Sequence, residues 1–154
     1  MDKFEEALSK LGLSIPQPSI PVANYVPYVI SGKLVYISGQ IPMQSGQLSF
    51  VGKLGREFSI EQGAEAAQVC ALNIVALIRH ACGGNLERVV RCVRLGGFVN
   101  GTDDFIDQPQ VMNGASDLMV TVFGERGRHA RAAVGVNSLP RGVAVEVDAI
   151  FEIE

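Results

Sequence analysis

Arg131 and Glu146 are the two residues whose types and spacing best suit this chain for chemistry. Segment 129–154, HARAAVGVNSLPRGVAVEVDAIFEIE, reads as two β-type runs joined by a Pro-containing turn. Arg131 opens the first apolar run and Glu146 sits in the middle of the second. Charges set among small and apolar residues are rarely buried without a partner, so each requires a ligand, an ion pair or a solvent cleft. A guanidinium forks bidentately onto a carboxylate, and a cleft-facing carboxylate can hold or activate a water. The two together suggest a small site for a carboxylate-bearing molecule that reacts with water. A plainer reading stays open, in which Arg131 is a strand-end ion pair and Glu146 pairs with Arg91 or Arg94 across the sheet.

The elements that must position these residues alternate in type. Phe4, Ala7, Leu8 and Leu11 recur at helical spacing over residues 2–11, and Gly12 follows as a stop. SIPQPSIPVA, residues 14–23, carries three prolines and is expected to be an extended connector. Tyr25–Ile30 and Lys33–Ser38 read as strands around a Ser31-Gly32 turn. A loop around Ser45-Gly46 leads to a third strand near Leu48–Val51. S-I-E-Q from Ser59 is a capping box with Gln62 reaching back. The helix it opens runs to about Ala81, with Ala67, Cys70, Ala71, Ile74, Leu77, Ile78 and Ala81 as one apolar stripe. Gly83-Gly84 ends it.

Val89–Val99 reads as a strand with Arg91 and Arg94 interleaved. Asp103 or Asp104 is expected to cap a second helix that starts near Pro109 and ends at Gly124, with Val111, Ala115, Leu118, Met119 and Val122 inward. The order β-β-β-α-β-α-β-β predicts one α+β domain over residues 24–154, preceded by a helix and connector over 1–23. In strand 143–151, Val143, Val145, Val147, Ala149 and Phe151 share one face. Ala144 and Ile150 share the other with Glu146 and Asp148. Two helices cover only one sheet face, so the apolar residues of the other predict a protein partner.

Composition narrows the function class. A formal net charge of −3 without a Lys/Arg run argues against a phosphate-binding surface and hence against nucleic acid. The most apolar stretch, within 64–78, is interrupted by Glu65, Gln68 and Asn73, so no membrane span is expected. The opening MDKFEEALSKLG is acidic and amphipathic rather than apolar like a secretion signal. Cys70, Cys82 and Cys92 lack C-x-x-C spacing and suit buried thiols in a reducing cytoplasm.

Residues 24–154 resemble the Rid family of reactive intermediate deaminases, also called the YjgF family and once labelled endoribonucleases or translation inhibitors. The resemblance rests on S-G-Q-I-P at Ser38–Pro42, A-R-x-x-V-x-V from Ala130, S-L-P at Ser138–Pro140 and V-x-V-E-V-x-A-I from Val143. It implies a chorismate-mutase-like fold, with a mixed, mostly antiparallel sheet and two long helices on one face. It also implies a homotrimer whose sheets pack around a central axis, with a ligand cleft at each subunit interface. The implied reaction is cofactor-independent: enamine and imine acids such as 2-aminoacrylate become 2-keto acids and ammonia. By that resemblance Arg131 grips the substrate carboxylate, backbone groups near Gly39 orient the nitrogen, and Glu146 positions water. Tyr28 of V-P-Y-V matches a cleft-lining family Tyr, although its interval to Ser38 is shorter here. Asn113 matches an architectural Asn.

The chain departs from the family at several points. Ala133 stands where many members have Cys, and His129 replaces the Pro before A-R. The segment between Pro42 and Ser59 is longer, and a helix is added at the front. A non-catalytic keto-acid sensor is the first alternative. RNA cleavage ranks last, because a basic stripe with interleaved aromatics is missing.

Overall fold

Helix α1 (Lys3–Ser9) begins on a capping box. Asp2 Oδ1 accepts from the Phe4 and Glu5 amides, and Glu5 Oε2 accepts from the Asp2 amide. The computed structural model describes residues 1–20 and 23–154, so Pro21 and Val22 of the expected connector lie outside the described residues. Phe4 and Leu8 are the buried pair of α1. Phe4 meets Phe123 with ring centroids 5.8 Å apart, and Phe123 meets Phe151 at the same distance. Leu11, expected on the buried stripe, is 51% exposed because α1 ends at Ser9 and the chain turns away at Gly12.

Strands β1 (Tyr28–Ser31) and β2 (Leu34–Gln40) form the expected hairpin. Strands β3 (Met43–Gln44) and β4 (Gln47–Leu48) form a separate small one. Helix α2 (Ile60–Ala81) follows, then β5 (Val89–Asn100), α3 (Gln108–Phe123), β6 (Ala130–Val136) and β7 (Val145–Ile153). The main sheet runs β1-β2-β7-β5-β6, antiparallel throughout except for the β5–β6 pair. That parallel pair follows from α3, which crosses over between them. The molecule is thus an α+β sheet with α2 and α3 packed on one face, as the sequence predicts. Among the described residues no helix is long and apolar enough to cross a membrane.

Register separates the two faces. Val145, Val147, Ala149, Phe151 and Ile153 are buried beneath the helices, alternating with half-buried Glu146, Asp148, Ile150 and Glu152. On the uncovered face Tyr36 pairs with Val29 and Ile150, and Phe98 pairs with Glu146 and Val134. Val29, Tyr36 and Val134 are 53%, 45% and 45% exposed, so this face is an open surface of apolar residues mixed with charge. Ala144 is the exception to the expected alternation. It is fully buried because the chain around Phe50–Leu54 crosses the strand end, and the Ala144 amide donates to Phe50 O.

Two local expectations are corrected. The third strand near Leu48–Val51 is replaced by the β3–β4 hairpin, and Val51 makes only a bridge to Val143. Neither Asp103 nor Asp104 caps α3. Thr102 Oγ1 donates to Asp104 Oδ1 within a turn, and Asp107 holds the N-cap position without a side-chain bond.

The helices touch closely at Gly114. A Cβ there would stand 1.9 Å from the Ala64 carbonyl oxygen of α2, a backbone atom that cannot swing aside. Gly114→Ala is therefore expected to lower stability by about 1–3 kcal/mol, as overpacking does, despite the roughly 1 kcal/mol propensity gain of Ala in a helix. A urea midpoint equal to or above the parent's would refute the contact.

Candidate functional site

Glu146 sits at the middle strand of the sheet, beside a bulge in its neighbour. Ile37 of β2 pairs with Ala149 and Gln40 with Val147, so Ser38 and Gly39 are squeezed into the intervening register. The bulge is held by Ser38, whose amide and hydroxyl both donate to Pro27 O, and by Gln40 Nε2, which donates to Ser38 O. Gly39 is required there by contact rather than by torsion. A Cβ would lie 2.9 Å from Glu146 Cδ and 3.0 Å from Oε2. The carboxylate thus rests against bare backbone.

Both line a cleft of about 340 Å³ with Tyr25, Pro27, Asn73 of α2 and Arg141. Asn73 Nδ2 donates to Ile41 O and Met43 O, fixing the S-G-Q-I-P loop to α2. Burial pushes the Glu146 carboxyl above the usual carboxylate range, and the negative Asp148 adds to the shift. Arg94 pairs with Asp148 at 3.6 Å, and no described cation pairs with Glu146. The plain reading, a cross-strand pair of Glu146 with Arg91 or Arg94, is therefore not what forms. A half-buried carboxylate of raised proton affinity in a cleft is suited to accept a proton from water.

Arg131 lies on the opposite face. It pairs with Leu95, which pairs with the core residue Ala149, so its side chain leaves the sheet toward α3. Nη1 donates to Asn113 Oδ1 at 2.9 Å and to Ser116 Oγ at 3.1 Å. His129 completes a relay: Nδ1 donates to Gly127 O at 2.6 Å, so Nε2 accepts from the Ser116 hydroxyl at 2.9 Å. Neutral acceptors hold Arg131 in a shallow depression shared with Asp117 and Arg128. One copy of the chain thus brings Glu146 and Gly39 together and holds Arg131 apart from them.

Tyr28 is also apart within one copy. It pairs with Ile37 on the helix-covered face, and its hydroxyl meets His80 Nδ1 at 2.8 Å. Tyr25 and Pro27 line the Glu146 cleft of the same chain. The three cysteines are buried thiols, and burial raises Cys92 to about 12.

Three features escape sequence reasoning. Arg141, in the Pro140–Gly142 turn, lines the Glu146 cleft with φ 59, a left-handed conformation unusual for a residue other than Gly or Asn. Asn100 is 97% buried and joins three segments: Nδ2 donates to Val143 O and Gly52 O, and Oδ1 accepts from Lys53 Nζ at 2.7 Å. Lys53 Nζ also donates to Asn137 O. This hub pins the long 50–54 segment over the turn that carries Arg141. Gly52 N also donates to Gly142 O, though neither contact has a local sequence signal.

Residues 5–148 match the family model described as "YjgF/chorismate mutase-like, putative endoribonuclease". The chain belongs to the YjgF family. Proteins similar to it include protein TCP17 of Trypanosoma cruzi, 47% identical over 95% of this chain and 91% of that protein. A 2-iminobutanoate/2-iminopropanoate deaminase of Dermatophagoides farinae is 30% identical over 92% of this chain and 95% of its own length. The crystal structure of the protein Atu1372 from Agrobacterium tumefaciens superposes with a TM-score of 0.94 at 47% identity. That match covers 98% of this chain and 92% of Atu1372.

Proposed function

We propose that this YjgF-family chain hydrolyses reactive imine and enamine acids to 2-keto acids and ammonia. The reaction takes place in clefts shared between copies of the chain. The carrying observation is Glu146, a half-buried carboxyl raised in pKa and set against the bare backbone of Gly39 in a cleft. An imine carbon is already electrophilic, so positioning and a base for water supply most of what is needed. An enamine acid first tautomerises to the imine. Water then adds to the imine carbon as Glu146 takes one of its protons and the nitrogen gains one. This gives a carbinolamine and, once Glu146 has passed its proton on, a free carboxylate again. The hydroxyl proton of the carbinolamine next passes by way of Glu146 to the nitrogen as the C–N bond breaks and C=O forms, releasing ammonia and the keto acid.

The carboxylate clamp in this reading is Arg131 from a neighbouring copy, since within one chain Arg131 and Glu146 face opposite ways. The uncovered sheet face, with Val29, Tyr36, Phe98 and Val134, supports self-association, and a homotrimer matches the family pattern. An RNA-cleaving reading is disfavoured by the histidines. His80 bonds Tyr28 and His129 bonds Ser116, so they do not form one acid–base pair.

The test generates short-lived imino acids in situ and follows ammonia and keto-acid release, with light scattering on the same sample. Accelerated release from a species three times the 16.5 kDa chain mass is expected. Keto-acid binding without turnover would identify a sensor instead, and a monomer would remove the shared cleft.

A further inference from the structure

The Glu146 cleft is lined by a guanidinium other than Arg131, one that hydrolysis of a simple imine acid does not call for. Arg141 lines that cleft from the same chain as Glu146 and Gly39. It makes no ion pair or side-chain hydrogen bond with any described residue, although a carboxyl lies in the same cleft. Its backbone is left-handed, between Pro140 and Gly142. Such a conformation disfavours a long side chain and survives where the surroundings fix it, most often at binding sites. The surroundings here are specific. Gly142 O accepts from Gly52 N at 2.8 Å, and Val143 O accepts from the buried Asn100. The backbone of the turn is therefore pinned on its C-terminal side, and the exposed Arg141 side chain starts from a fixed point on the cleft wall. No described residue pairs with the charge it carries there.

We propose that Arg141 is a specificity-determining residue that binds a second anionic group, so that the preferred substrates are imino acids bearing a distal carboxylate. The inference rests on the deaminase reading of the same cleft. In that reading Arg131 of a neighbouring copy takes the carboxylate next to the imine carbon, and Glu146 serves water. Arg141 then meets the far end of the substrate. A guanidinium accepts a carboxylate in fork geometry, and a distal methyl or hydrogen offers it nothing. A short monoacid would leave Arg141 solvated, whereas a dicarboxylate engages both cations.

The experiment compares binding of 2-oxobutyrate, a monoacid, with that of 2-oxoglutarate, a diacid, to the full chain by calorimetry. Arg141→Asn is measured alongside, because Asn tolerates the left-handed backbone while removing the charge. The parent is expected to bind the diacid about 10-fold more tightly, the low end for a charge-assisted hydrogen bond. Arg141→Asn is expected to abolish that preference and leave 2-oxobutyrate affinity unchanged. Arg141→Lys, which keeps the charge without the fork, should retain part of the preference.

Equal affinity of the parent for the two acids would overturn the proposal while leaving the deaminase reading intact. So would an equal loss for both acids in Arg141→Asn, which would make Arg141 the primary clamp. If neither acid bound the parent, the deaminase reading would fall and this inference with it. The parent comparison alone decides the matter should either variant misfold.

Discussion

Glu146→Gln is expected to slow imine hydrolysis by about 10²- to 10⁴-fold, the range that a positioned proton acceptor contributes. Gln keeps the shape that fits against Gly39, so keto-acid binding should change little. A loss confined to kcat points to water activation, whereas an equal loss of binding points to packing. The pH dependence carries its own sign. Burial first, then the Asp148 charge, raises the Glu146 carboxyl, so the active carboxylate form fills in above the ordinary Glu range. The hydrolysis rate of the parent should rise with pH through that elevated midpoint and then level off.

Stability runs the other way. A folded-state pKa above the unfolded value contributes stability that is complete below the unfolded pKa and is lost as pH rises through the folded one. Gln cannot ionise, so the variant should be at least as stable as the parent at neutral pH. A variant that hydrolyses at the parent rate, or melts well below it at pH 7, would remove Glu146 from the mechanism.

Arg131→Ala is expected to weaken both keto-acid binding and hydrolysis by about 10- to 150-fold, the equivalent of losing roughly 1.5–3 kcal/mol of charge-assisted contact. The side chain is bonded only to Asn113 and Ser116 among the described residues, both near the surface of α3, so the variant should remain a folded oligomer. Refolded together, Arg131→Ala and Glu146→Gln chains should regain part of the activity, because each supplies the half that the other lacks. Unchanged binding in Arg131→Ala would exclude it as the clamp. Failure of the mixed sample to recover would place both halves of the site in one chain.

Much of the frame was legible because it depends on local signals. The Ser59–Gln62 box and the apolar stripe set α2, and the alternation in β7 placed Glu146 on the face away from the helices. What the sequence could not yield were relations between segments far apart in the chain. Arg131 and Glu146 are both outstanding residues, yet their opposite facing follows from the register of β5 with two different partners. Tyr28 matches a cleft-lining Tyr by motif, while its position within one chain, beside His80, follows from the register of the β1–β2 hairpin. Arg141 carries no local signal, because nothing in the sequence distinguishes a cleft wall from solvent. Asp103 and Asp104 are plausible caps by type, and only the Thr102 turn diverts them.

The position of β7 has a consequence for how the chain must acquire its structure. It follows every other strand of the main sheet in sequence, yet it lies between β2 and β5. As the polypeptide is made, the β1–β2 hairpin and the β5–α3–β6 unit can each form early, but each must wait with an unpaired inner edge. Such edges invite pairing with other chains. Arg91 and Arg94 on β5, and Glu146, Asp148 and Glu152 on β7, interrupt the apolar pattern on these strands, and interspersed charge of this kind suppresses wrong pairing. Closure by β7 is non-local and therefore slow compared with forming the flanking units. The carboxyl that would do the chemistry arrives on that closing strand, so the cleft exists only once the sheet is complete.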